Sequence, residues 1–152
     1  MAEITEEQRQ VLDTVRRIRD DVVEPLAAEL DEKARFPAEA LAVFADNGLL
    51  NPLLPAPYGG LGAPMHTAVL MLEEIAHACA ASALLIIAQT DGMLPILHGG
   101  SEPLKERFLS RLGGDSRQLT ALAATEPGAG SDLLSMKTSA VRDGTDYVIS
   151  GQ

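Results

Sequence analysis

The stretch "LTALAATEPGAGSD", Leu119 to Asp132, marks the point where the chain changes character. Upstream of it, apolar residues recur three and four positions apart, the spacing of amphipathic helices. Downstream, "KTSAVRDGTDYVIS", Lys137 to Ser150, reads as two β-type runs joined by Asp143-Gly144, a hairpin signal. "LTALAAT" is itself a short apolar run of strand type. The predicted class is therefore mainly α: a bundle-like helical domain over residues 1–118, then the first strands of a β domain over residues 119–152. Three strands are near the lower limit for an independently stable sheet, so the β domain reads as incomplete.

Working back from that junction, Thr5 with Gln8 fits a capping box, and Val11, Val15, Ile18, Val22, Leu26 and Leu30 follow at helical spacing. The first helix is predicted from about Glu6 to Lys33, with a kink at Pro25. "AEALAVFADNG" predicts a short second helix with Leu41, Phe44 and Ala45 on one face and Gly48 as a left-handed cap. "LLNPLLPAPYGGLGAP" is too rich in Pro and Gly for a regular element and reads as a structured loop. A third helix is predicted from Met65 to Ala81, marked by Met65, Val69, Leu72, Ile75, Ala76 and Cys79. A buried fourth follows over Ala83 to Ala88, then a further turn at Pro95 that breaks at Gly99-Gly100. Ser101 is placed to cap a last helix, "EPLKERFLSRL", with Pro103 in its first turn and Gly113-Gly114 behind it.

Composition narrows the function classes. With 46% hydrophobic and 22% charged residues in 152, the chain has the profile of a globular protein. A formal net charge of -10 offers no positive field to a phosphate backbone or an anionic membrane, and 3% aromatics leave few platforms for base stacking. Nucleic acid is not an expected partner. The one cysteine, Cys79, excludes an intrachain disulfide and fits a reducing, cytoplasmic compartment. "MAEITEEQRQ" lacks the basic and apolar regions of a secretory signal. The longest nearly apolar run, Ala78 to Ala88, falls short of the ~18 to 20 residues that cross a bilayer, so it reads as a core helix.

Few residues offer recognisable chemistry. Glu74 and His77 form an E-x-x-H that shares one helix face, as di-iron bundles require, but a second E-x-x-H is missing. His66 lies eleven residues before His77, about 16 Å along a helix axis, and His98 has no evident partner. The histidines are read as structural or surface residues, with no metal site. Ser131 and Asp132 lack the G-x-S-x-G of a nucleophile elbow. No G-K-[ST] follows the glycines, and position 133 is Leu where a dinucleotide fingerprint needs a third Gly. In "TEPGAGSD", Gly128 and Gly130 permit positive φ and close approach of another body, Pro127 stiffens the entry, and Thr125 and Ser131 offer hydroxyls beside backbone N–H groups. Such a loop suits a flat, polar-edged heterocycle or the oxygens of a cofactor. It suits a tight connection between two strands as well.

"TEPGAGSD" followed by "MKTSAVRDGTDYVISGQ" resembles the start of the middle domain of acyl-CoA dehydrogenases, flavoenzymes that introduce an α,β double bond into acyl-CoA thioesters. "PAPYGGLG", Pro55 to Gly62, is similar to the family's loop before its third major helix, with Ala56 where an acid is common. "EPLKERFLSRL" resembles the helix that leads into the middle domain, and the likeness runs in register along nearly the whole chain. The resemblance implies FAD as cofactor. It implies that Leu122, Ala123, Ala124, Thr125, Glu126, Pro127, Gly128, Ala129, Gly130 and Ser131 hold the isoalloxazine. Thr125 would bond the ring edge near N5 and O4, and Ser131 would lie where flavin and acyl-CoA substrate meet. In the family a glutamate removes the α-proton while the β-hydride passes to flavin N5.

That glutamate belongs to a C-terminal helical domain, and the family's Trp-Ile-Thr segment follows the point matching Gln152; the chain has neither. No residue of the 152 is assigned as the catalytic base, and the stretch alone is expected to hold FAD weakly or not at all. The resemblance further implies a role in fatty acid and lipid metabolism, an electron-accepting flavoprotein as partner, and a homotetramer or hetero-oligomer. Residues near Ile87 to Met93 would line the acyl tunnel, and "LLIIA" accommodates straight, branched and steroid side-chain acyl groups alike. An acyl-CoA oxidase relative, or a shortened non-catalytic subunit whose strand edges another chain covers, are the alternative readings.

Overall fold

The computed structural model describes residues 4–114 and 117–152. They form two compact units, one ending at Ala121 and one beginning at Leu122.

The helical unit opens with the capping box. Thr5 Oγ1 accepts from the Gln8 N–H at 3.2 Å and Gln8 Oε1 accepts from the Thr5 N–H at 2.9 Å, so two orphan donors are satisfied as helix α1 (Glu6–Ile18) begins. Leu12, Val15 and Ile18 face the core. At Pro25 the structure has no simple kink. A π-helical segment, Arg19–Val23, intervenes, its wider hydrogen bond running from the Glu24 N–H to the Arg19 carbonyl, and α2 (Glu24–Lys33) then starts with Pro25 in its first turn. The backbone stays helical through this junction, and Pro25 has no N–H with which to continue the ladder. The extra residue of the π turn also moves the buried face from Val22 to Val23, five positions after Ile18, and from there to Leu30.

Helix α3 (Ala38–Asp46) ends in a Schellman motif. Gly48, at φ +68°, donates to the Ala45 carbonyl and Leu49 donates to that of Phe44 at 2.8 Å. The Pro- and Gly-rich loop is ordered by its own backbone bonds, including Gly62 N–H to Leu54 carbonyl and Ala63 N–H to Pro52 carbonyl, both 2.8 Å. Its short 3₁₀ turn, Ala56–Tyr58, sits so close to Gly113 that a Cβ there would lie 1.7 Å from the Tyr58 carbonyl oxygen.

Helix α4 (Met65–Ala78) buries Thr67, Ala68, Met71 and Ile75, whereas Met65 and Val69 are 55% and 51% exposed. The run "MHTAVLML" is apolar on more than one face, so its pattern does not fix which face turns inward. The Gln8 side-chain amide donates to Thr67 Oγ1 at 2.9 Å and satisfies the polar member of that face. Cys79, in extended conformation, ends α4. The expected fourth helix and the turn at Pro95 are one element, α5 (Ala80–Gly99). With 20 residues and a mean hydropathy of 1.5, α5 is long and apolar enough to cross a bilayer by length and composition alone, where the sequence run Ala78–Ala88 is too short. It packs against α4 and α6 (Glu102–Gly114) within the helical unit. One core joins α1 to α5 around Phe44, Met71, Ile75 and Ile86, and a second gathers Leu54, Met93, Leu109 and Leu112.

The second unit has two strands among the described residues, β1 (Ser139–Asp143) and β2 (Asp146–Ser150), paired antiparallel with Val141 opposite Val148. "LTALAAT" is not a strand, and its first residues belong to the helical unit. The hairpin loop is Gly144-Thr145, one residue later than Asp143-Gly144, because Asp143 still pairs with Asp146. Positive φ at Gly144 (+61°) and not at Thr145 is the type II′ pattern. All ten strand residues are exposed.

Candidate functional site

Among the described residues, Glu74 and His77 belong to no cluster of three or more metal-ligating groups. Glu74 Oε1 accepts from Arg16 Nη2 at 2.6 Å and Nε at 2.7 Å, and Oε2 accepts from Arg19 Nη1. The carboxylate thus ties α4 to α1 and the π segment, and its hydrogen bond holds the Arg16 guanidinium further above its ordinary value. His77 shares a groove of about 510 Å³ with these side chains. No cluster of three or more His, Cys, Asp or Glu suited to a metal ion occurs among the described residues.

The segment Leu122–Ser131 is built around one tight turn. Glu126 and Ala129 exchange both backbone hydrogen bonds at 3.1 Å, closing Pro127-Gly128 between them, and Ala129 is buried. Neither Gly128 nor Gly130 has positive φ, so left-handed backbone is not why glycine stands there. Nothing lies within 4 Å of a Cβ built on either one. Among the described residues no neighbour requires their small size, which leaves open space beside them. Thr125 and Ser131 are exposed, and their hydroxyls make no hydrogen bond among the described residues. Glu126 differs from both: its carboxylate accepts from the Lys137 N–H at 2.8 Å, the Thr138 N–H at 2.7 Å and the Thr138 hydroxyl. These bonds, the hydroxyl's foremost, hold its pKa below the ordinary carboxylate value. Leu122 and Ala123 are exposed and Ala124 is half-buried.

The sequence reading missed Gln89, which lies on α5 within the span Ile87 to Met93. It is 1% exposed, and its amide donates to Asn51 Oδ1 at 3.2 Å and to the Gln118 carbonyl at 2.9 Å. Its oxygen accepts from the N–H and the hydroxyl of Thr120. A polar residue on the inward face of an apolar helix was the signal available. Of its neighbours, Met93 is buried, while Ile87, Ala88 and Asp91 are exposed.

Residues 5–114 match the family model described as "Acyl-CoA dehydrogenase, N-terminal domain". The chain belongs to the acyl-CoA dehydrogenase family. Among curated relatives, the cyclohex-1-ene-1-carbonyl-CoA dehydrogenase of Geobacter metallireducens is 60% identical over all of this chain and 40% of its own length. That of Syntrophus aciditrophicus is 52% identical over all of this chain and 37% of its own. A solved acyl-CoA dehydrogenase from Bacillus anthracis, complexed with FAD, matches with TM-score 0.84 and 32% identity over 98% of this chain and 26% of that one. The chain therefore spans about two fifths of the length of these curated family members, and its mainly helical fold is that of their N-terminal portion.

Proposed function

We propose that the protein carrying this chain is an FAD-dependent acyl-CoA dehydrogenase. The observation that carries the proposal is the Pro127-Gly128 turn: open space at two glycines, flanked by the unengaged hydroxyls of Thr125 and Ser131. A flat ring system with polar edges fits beside such a turn, which is the fit that FAD requires. Bound FAD would supply the hydride acceptor, and the acyl-CoA substrate would lose a proton from one carbon and a hydride from its neighbour. In this reading Thr125 donates to the ring edge, Ser131 stands between ring and thioester, and the turn admits the ring. The proton goes to a carboxylate outside these 152 residues. The 60% identity to a cyclohex-1-ene-1-carbonyl-CoA dehydrogenase supports an alicyclic carbonyl-CoA as substrate. An electron-accepting flavoprotein then reoxidises the cofactor, and the buried, unpaired Cys79 supports a reducing cytoplasm.

The test is FAD titration of the full-length protein, followed by turnover of cyclohex-1-ene-1-carbonyl-CoA against butyryl-CoA. Wild type should take up FAD and prefer the cyclic thioester. Thr125→Ala should weaken FAD binding roughly threefold to tenfold, the worth of one hydrogen bond, and Gly130→Val should abolish it by filling the open side of the turn. Normal flavin content in the Gly130→Val protein would overturn the assignment of this loop, and a preference for butyryl-CoA would overturn the substrate.

A further inference from the structure

The two acids of "TEPGAGSD" are used differently. Asp132 accepts from the Ser135 hydroxyl three residues on, a local bond at the start of the 3₁₀ turn Leu133–Ser135. Glu126 reaches eleven and twelve residues ahead, to the backbone that enters β1. Its main chain meanwhile closes the turn with Ala129. We propose that Glu126 is the positioning residue of the cofactor segment: its carboxylate, turned to Lys137-Thr138 and not to the flavin, fixes Thr125 and the Pro127-Gly128 turn and so sets where the flavin-facing groups stand. The inference rests on the flavin reading given above.

A carboxylate suits this place for a chemical reason. Three donors converge on Glu126: two consecutive N–H groups and one hydroxyl. An ionised carboxylate only accepts, at two oxygens with about four lone-pair sites, so all three are satisfied at once. Glutamine would match the size but turn an NH₂ toward one of these donors, so at least one bond must be lost. The carboxylate is ionised at neutral pH as any exposed glutamate is, and the bonds it accepts hold its pKa lower still. Thr125 precedes Glu126 directly, so release of the carboxylate frees the one hydroxyl that the flavin reading needs most. The side chain is tied to the β1 entry and is spoken for, whereas the hydroxyls of Thr125 and Ser131 are not.

The experiment compares FAD dissociation constants and flavin absorption spectra for full-length wild type, Glu126→Gln, Thr138→Val and the double variant, with helical content followed by circular dichroism. Glu126→Gln should raise the Kd about tenfold and shift the flavin spectrum, since it removes the charge and at least one bond, and Thr138→Val about threefold, since it removes the hydroxyl's bond alone. The double variant should fall short of the sum of the two effects, because both substitutions act on the same hydrogen-bond network, and helical content should not change. An unchanged Kd in Glu126→Gln, or fully additive effects, would overturn this proposal while leaving the flavin reading intact. A wild-type protein that takes up no FAD would overturn the flavin reading first and this one with it.

Discussion

A single buried amide, Gln89, does more for the helical unit than its polar character suggests. Its NH₂ donates to Asn51 and Gln118, its oxygen accepts from the Thr120 N–H, and the Thr120 hydroxyl is shared between that oxygen and the Gln89 carbonyl. A Cβ on Gly92, three residues along the same helix, would lie 2.6 Å from Thr120 Cβ, so the segment leaving the unit is pressed against α5. Leucine at position 89 keeps the bulk and removes every one of these side-chain bonds. Gln89→Leu should destabilise the unit by about 2–3 kcal/mol, the cost of leaving a buried donor and acceptor unpaired. Chemical denaturation should show a lower midpoint with an unchanged slope. Ser82 provides the contrast. Its hydroxyl is buried with no partner among the described residues, so Ser82→Ala should be neutral or slightly stabilising, and a large loss in the same measurement would contradict that account.

At the scale of elements, the helix termini show what local chemistry decides. Helix α2 closes like α3, with Arg35 donating to the Leu30 carbonyl and Ala34 to that of Asp31, yet the left-handed position holds Ala34 at φ +47°. Alanine pays a steric cost there that glycine avoids. Ala34→Gly should stabilise the protein by ~1 kcal/mol, read as a rise in thermal midpoint. Capping and turn signals of this kind lay open in the sequence, which is why the Thr5 box, the Gly48 cap and the hairpin could be read directly. The phase of apolar stretches could not. In α1 and α2 the π turn inserts a residue that no periodicity of 3.6 foresees, and in α4 the excess of apolar positions leaves two faces equally acceptable. The hairpin loop fell one residue later because the pairing of Asp143 with Asp146, not the Asp-Gly pair, sets the register. The segment Leu122–Ser131 was legible as a motif. Its internal support was not, since the bonds from Glu126 span eleven and twelve residues and no spacing rule connects such positions.

For the whole molecule, acidity is the dominant property, with a net charge of -10. The acids are partly held by basic residues, as where Arg35 joins Glu29 of α2 at 3.0 Å to Glu39 of α3 at 2.9 Å. Hydrogen bonds from Arg35 are the first cause of the lowered pKa at both carboxylates. Carboxylates depressed on folding stabilise the native state above their unfolded pKa and lose that contribution as pH falls through the folded value. The thermal-midpoint difference between wild type and Arg35→Met should therefore be constant near neutrality and vanish below the ordinary glutamate range. Because the groups are exposed, about 1 M salt should shrink it as well. A difference that persisted at low pH would mean that Arg35 acts through packing of its aliphatic stem.

The π segment makes chain length itself part of the information that folds this protein. Between Ile18 and Val23 the inward face advances by five residues instead of four. A chain shorter by one residue in Arg19–Val23 could still run on as one α-helix, lacking only the backbone bond that Pro25 cannot donate. All of α2 would then be turned by about 100° relative to α1, and Leu30 would leave the core it now fills. Deletions, which surface helices often absorb by sliding, would here misaddress ten residues at once, so a change that removes a single charged side chain is far safer at Asp20 or Asp21 than one that removes the residue.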